Sequence, residues 1–215
     1  MADELEILKS DWKKRQQNLP KLSYNEIYKM LYKKSTTIVK WIFIISIAEL
    51  IFWTSLSLIT PQSTHEVLDL LGLTKYLMIF NIIHYIIFIG FIVVFFKNYA
   101  SIKVTDNTKQ LMASILKTRK TVRFFVIYNV TGFALLLILL NLLYYFQGDL
   151  LFEYFSQENG VAYQDKETFM LLFYIVNIIF GIVMLGLVLL FYRIVYGIFL
   201  KRLKKNYNEL AKIEI

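Results

Sequence analysis

Four long stretches of the chain are apolar nearly throughout: residues 39–60, 76–96, 124–146 and 169–200. An α-helix rises about 1.5 Å per residue, so about 20 such residues cross the hydrocarbon core of a bilayer. Ile, Leu, Val and Phe dominate all four, and none shows the strict alternation of a barrel strand. The pattern predicts four transmembrane helices, with spans at about 39–60, 76–96, 124–146 and 169–192. The fourth stretch is longer than a crossing needs, so its helix is expected to continue through Arg193 beyond the membrane.

Between the spans the pattern turns amphipathic. Ser23-Tyr24-Asn25-Glu26 has the form of a capping box, a serine N-cap with glutamate three residues on. Ile27, Tyr28, Leu31 and Tyr32 then form one apolar stripe, with Lys29, Lys33 and Lys34 on other faces. Asn107 to Gln110 repeats the box in weaker form ahead of Leu111, Ile115 and Val122. These helices either lie along an anionic inner leaflet or pack on one another as a small cytoplasmic layer. Upstream, Leu5, Leu8 and Trp12 make a short stripe that Pro20 ends. Trp12 with Ile27, Tyr28, Leu31 and Tyr32 is the expected cytoplasmic interaction face. On the other side, Ser63 or Thr64 is expected to cap a short helix, 65–71, ending at Gly72. A second short helix is expected at 149–155, before Asn159-Gly160 turns the chain.

The halves resemble each other. Asn81-Ile82-Ile83 matches Asn177-Ile178-Ile179 at an offset of 96, and Gly90 matches Gly186. Ile27, Leu31, Lys33 and Thr37 line up with Leu111, Ile115, Lys117 and Thr121 at an offset of 84. An internal repeat of two helical hairpins is the expectation, with a pseudo-twofold axis along the membrane normal.

Charge then orients the spans. Of 24 Lys and Arg, nine precede the first span, seven join spans two and three, and six follow from Arg193. Only Lys75 and Lys166 fall on the opposite side, which carries Glu66, Asp69, Asp149, Glu153, Glu158, Asp165 and Glu167. By the positive-inside rule both termini are cytoplasmic, in a bacterial inner membrane. The net charge of +8 is thus an orientation signal and implies no nucleic-acid partner. The first 37 residues are polar and show no signal peptide. The reading divides the chain into a cytoplasmic segment 1–38, a transmembrane unit 39–200 with an inner connection 97–123, and a basic tail 201–215.

Chemistry is sparse. With no cysteine, disulfides, thiolate metal sites and cysteine nucleophiles are excluded. No phosphate-binding glycine loop, HExxH or GxSxG occurs, so no catalytic or metal-ligating residue is assigned and no cofactor is specified. A charge inside a span costs roughly 2.5–3.5 kcal/mol on insertion scales, so Glu49 stands out near the centre of the first span. His84 in the second span is expected about 6 Å away in depth. Their pairing reads either as a proton-sensitive or polar-ligand site or as an interhelical hydrogen bond. Asn81 and Asn177 complete the candidate intramembrane polar site; Asn129 and Asn141 read as helix–helix contacts.

The segments LEILKSDWKK, LSYNEIYKMLYKKS and IVKWIFIISIAELIFW resemble the start of a family of small bacterial four-span inner-membrane proteins. Some members are described as beta-carotene monooxygenases, and carotene-cleaving oxygenases hold iron with several histidines. This chain has two, His65 outside and His84 within a span.

The expected fold is an all-α integral membrane four-helix bundle with cytoplasmic amphipathic helices. The expected function is that of a scaffold or regulatory protein binding a partner, or a second copy, through its basic face beside an anionic leaflet. A small transporter or channel using Glu49 and His84 is the alternative, and a lipid- or carotenoid-modifying enzyme the third.

Overall fold

The computed structural model describes residues 6, 9, 23–102, 107–158 and 165–213. The upstream stripe with Trp12, and the Asn159-Gly160 turn, lie outside the described residues. Among the described residues from 23 onward, six helices follow one another: α1 (Tyr24–Leu58), α2 (Gln62–Leu70), α3 (Thr74–Ala100), α4 (Thr108–Phe146), α5 (Gly148–Glu158) and α6 (Lys166–Ile213). No strand occurs among the described residues. Four of these helices, α1, α3, α4 and α6, are long and apolar enough to cross a membrane.

Helix ends follow local chemistry. In α1 the Glu26 N–H donates to Ser23 Oγ at 3.3 Å and the Ser23 N–H donates to the Glu26 carboxylate at 2.7 Å. Asn107 and Gln110 close the same reciprocal box on α4, at 2.9 and 3.4 Å. Asp165 opens α6, its carboxylate accepting from the Thr168 hydroxyl at 2.6 Å and from the Glu167 N–H at 3.1 Å. These bonds satisfy donors that the first turn of a helix leaves free. The short helix α2 differs from expectation at its start. It begins at Gln62 with Pro61 as N-cap and no side-chain cap, because proline's fixed φ of −59° already sets the entry that Ser63 or Thr64 was expected to provide. Its end is as read: Gly72, at φ +65°, lets Leu73 N–H bond Leu68 and Gly72 N–H bond Asp69, a Schellman closure.

The length of the spanning helices decides the architecture. At about 1.5 Å per residue, the 39 residues of α4 reach about 58 Å and the 48 of α6 about 72 Å, roughly twice a hydrocarbon core. Around the bundle α1 neighbours α3 and α6, and α4 neighbours the same two; α3 and α6 stand on a diagonal without touching. At one end α3 stops while α1, α4 and α6 continue together. Their buried positions recur at spacings of three, four or seven: Leu31, Ser35, Ile38, Ile42, Ser46 and Glu49 on α1; Thr108, Leu111, Ile115, Thr118, Val122 and Phe125 on α4; Tyr192, Tyr196, Leu203, Asn206 and Leu210 on α6. This is the seam of a coiled coil, held to a period near 3.5. The segment from 201, expected as a basic tail, is helical to Ile213, and Leu203 and Leu210 are completely buried. The amphipathic stripe is likewise covered. Leu31 is in the core, with Ile27, Tyr28 and Tyr32 packed against it.

At the other end α2 and α5 close over a small core of Leu71, Leu73 and Leu151. Tyr154 there donates to Glu66 at 3.2 Å. In the middle zone the polarity is inverted. Side chains such as Ile83 (52% exposed), Leu135 (66%) and Ile182 (66%) face outward, while Ser46 and Glu49 face in. Such a surface suits lipid and would not suit water.

Candidate functional site

The expected offset of about 6 Å between Glu49 and His84 assumed that neighbouring spans start level. Two contacts fix the actual register of α1 against α3: Phe43 meets Phe96 with ring centroids 5.6 Å apart, and Thr54 reaches the Tyr85 hydroxyl at 3.5 Å. Glu49 is therefore level with Gly90, six residues or about 9 Å from the level of His84. Each has its own partners.

Glu49 is 4% exposed and sits in the seam between α1 and α6. Tyr196 donates its hydroxyl to Oε2 at 2.9 Å, and Tyr192, one turn earlier, donates to Oε1. The two tyrosines are four residues apart, so they lie on one helix face and close on the carboxyl group as a pair. Phe125 of α4 packs edge-on against Tyr192 and at a tilt against Tyr196, which seals the cluster from the third side. This is a buried polar group with both oxygens satisfied, the arrangement that lets a carboxyl group leave water. Tyr192 is 5% exposed, and its sequence signal is its place with Tyr196 and Leu203 on the seam.

His84 belongs to an aromatic cluster at a separate level, nearer the α2 end of the bundle. Its Nδ1 is 3.2 Å from the Tyr128 hydroxyl, and its ring stacks on Tyr128 with centroids 5.7 Å apart. Phe80, Tyr85 and Phe88 surround it on α3. Asn81, on the same helix, makes no hydrogen bond. Asn177 lies apart from both, on α6, and donates to its own Phe173 carbonyl at 2.9 Å. The four polar residues thus separate into a seam carboxyl (Glu49), a histidine–asparagine pair on α3, and an asparagine turned back onto its helix.

Where α3 and α6 fail to meet, a cavity of about 230 Å³ remains, lined by all four spanning helices. His84 and Asn81 line it from α3, Asn129 and Gly132 from α4, Trp53 and Ser57 from α1. Val188 and Tyr192 line it from α6. Tyr192 therefore connects the two sites, with its ring on the cavity and its hydroxyl on Glu49. At the end where α1, α4 and α6 continue past α3, a separate cleft between α1 and α6 is lined by Lys33, Lys34, Arg202 and Lys205. Its one acidic residue, Glu209, pairs with Lys205 at 3.8 Å. The described residues hold no cluster of His, Asp and Glu able to bind a metal.

A family model described as a domain of unknown function, DUF8845, matches residues 25–215. The chain belongs to the DUF8845 family. Neither a curated protein nor a solved structure matches it. The DUF8845 match begins two residues after the Ser23 cap and takes in the seam, the cavity and the basic cleft together.

Proposed function

We propose that this protein is a bacterial inner-membrane scaffold or regulatory subunit, not an enzyme, with four spans and both termini in the cytoplasm. It engages its partner through the inner three-helix extension. The observation that carries this reading is the extension itself. α1, α4 and α6 run on past the apolar zone and share a continuous core through Leu31, Leu111, Ile115, Leu203 and Leu210. A rigid stalk of this kind offers side chains at fixed spacing. Its outer faces hold most of the 24 basic residues, and 22 of them fall on the side assigned to the cytoplasm.

The cleft of Lys33, Lys34, Arg202 and Lys205 supports a partner presenting an acidic segment, with neighbouring lysines resting on an anionic leaflet. The two hairpins also read as duplicates. The Ser23 and Asn107 caps stand 84 residues apart, as do the buried pairs Leu31 with Ile115 and Ile38 with Val122. The transporter reading draws less support, since Glu49 is held between tyrosines at a different level from His84.

Tagged protein taken from native membranes in mild detergent tests the proposal, beside a variant carrying Lys33→Glu, Lys34→Glu, Arg202→Glu and Lys205→Glu. A stoichiometric partner that is lost with the variant and released by moderate salt supports it. A partner retained equally by both, or none at all, overturns it. Single cysteines test orientation in a chain that has none: position 209 should label only from the cytoplasmic side and position 69 only from outside.

A further inference from the structure

The cavity between the four long apolar helices gathers polar side chains whose hydrogen-bonding capacity is not used up within the chain. Asn129 spends its amide N–H on the Phe125 carbonyl at 2.8 Å, leaving its Oδ1 free on the cavity wall. His84 uses Nδ1 toward Tyr128 and leaves its other ring nitrogen unspent, and the Asn81 amide and the Ser57 hydroxyl make no bond at all. For His84 and Asn129, which lie deeper in the apolar zone, an unsatisfied polar group costs free energy because water is scarce there, while Asn81 and Ser57 stand exposed nearer the helix ends. Donors and acceptors thus converge from three helices on one space, between aromatic slabs including Trp53 and Phe88.

We infer that this cavity binds the head of a lipid-soluble quinone: a flat, neutral ring carrying oxygen acceptors on opposite edges and an apolar tail. Neutrality follows from the lining, which contains no Lys, Arg, Asp or Glu. Glu49 is close but is turned away behind the Tyr192 hydroxyl. Flatness follows from the aromatic walls, against which a ring gains stacking contact. The opposed oxygens answer to His84 and Asn81 on α3 and to Ser57 across from them on α1. Size is adequate, since a cavity of about 150 Å³ holds one benzene ring and this one measures about 230 Å³. The exposed lining residues Ser57, Phe80 and Asn81 mark a mouth at the outer ends of α1 and α3, through which the tail passes into lipid.

The test uses full-length protein in lipid nanodiscs with Trp12→Phe and Trp41→Phe, so that Trp53 on the cavity wall is the one tryptophan and can be excited selectively. The probe is a decyl-tailed benzoquinone, with decylbenzene as the analogue lacking oxygens. Saturable quenching of Trp53 is expected, with His84→Leu or Asn81→Leu weakening it by about tenfold for each hydrogen bond lost. A filling variant guards against misfolding. A Cβ at Gly132 meets nothing within 4 Å, so Gly132→Leu grows into the cavity; it should keep the melting temperature and abolish saturation. Linear quenching equal in the parent and Gly132→Leu means partition into lipid only and overturns the inference. Equal competition by decylbenzene also overturns it, since it reduces the site to an apolar void.

Discussion

Replacing Glu49 separates a structural seam from an idle polar residue. In Glu49→Ala both tyrosine hydroxyls lose their acceptor in a place water does not reach. An orphaned buried hydroxyl costs about 1–3 kcal/mol, and the missing side chain adds a void. Relief within the membrane is partial, because measured interhelical hydrogen bonds average about 0.6 kcal/mol and reach about 1.7. Balancing these, Glu49→Ala should cost about 2–4 kcal/mol. Glu49→Gln keeps one acceptor, and a tyrosine hydroxyl can rotate to accept from the new amide, so its cost should stay below about 1 kcal/mol. Tyr192→Phe and Tyr196→Phe each remove one bond and should fall between, at about 0.6–1.7 kcal/mol. Unfolding by titration with SDS in mixed micelles, followed by circular dichroism, gives the free energies. In the Glu49→Ala background, either Tyr→Phe change should cost nothing and recover part of the loss, since it removes a hydroxyl already orphaned. If Glu49→Ala unfolds within about 0.5 kcal/mol of the parent, the carboxyl group does not organise the seam and the argument fails.

Two further outcomes follow from the helix ends. The Ser23 backbone N–H and hydroxyl hold the Glu26 carboxyl below the usual glutamate range, with a smaller contribution from Lys29. The unfolded chain therefore binds the proton first as pH falls. The cap is fully formed above the ordinary glutamate value and is lost as pH drops through the lowered one, which NMR titration of the Glu26 carboxyl reads directly, Ser23→Ala bringing it part of the way back up because the backbone N–H still donates. Gly72→Ala should destabilise by about 1 kcal/mol although nothing obstructs its Cβ, because the cost is the positive φ alone; Gly72→Asn should cost less, as thermal unfolding will show.

Much of the fold was legible because the bilayer simplifies the code. Four apolar runs, the reciprocal caps at Ser23 and Asn107 and the glycine stop at Gly72 each rest on one local rule. Two things were not. Hydropathy reports the part of a helix that meets lipid, so the end of α6 read as a charged tail, while the spacing of Tyr196, Leu203 and Leu210 was already that of a seam. Depth counted from each span's own basic end assumed level helices, and that assumption paired Glu49 with His84. The offset between α1 and α3 comes from tertiary contacts such as Phe43 with Phe96, which no single span encodes. The cavity was out of reach for the same reason, as it exists only where α3 and α6 stand apart.

The claim on which the rest depends is that α1 and α6 continue beyond the membrane as parts of one packed stalk. Asn206 donates to the Ser35 hydroxyl at 3.0 Å in the buried layer of that stalk. Ser35→Cys with Asn206→Cys places the only two thiols of the chain there, and a short bis-thiosulfonate reagent in native membranes reports their proximity. The account predicts rapid cross-linking within a single chain, seen as a faster-migrating monomer, and none between Ser35→Cys and a cysteine at the outward-facing position 204. Cross-links that form only between copies, or equally well at position 204, would contradict it.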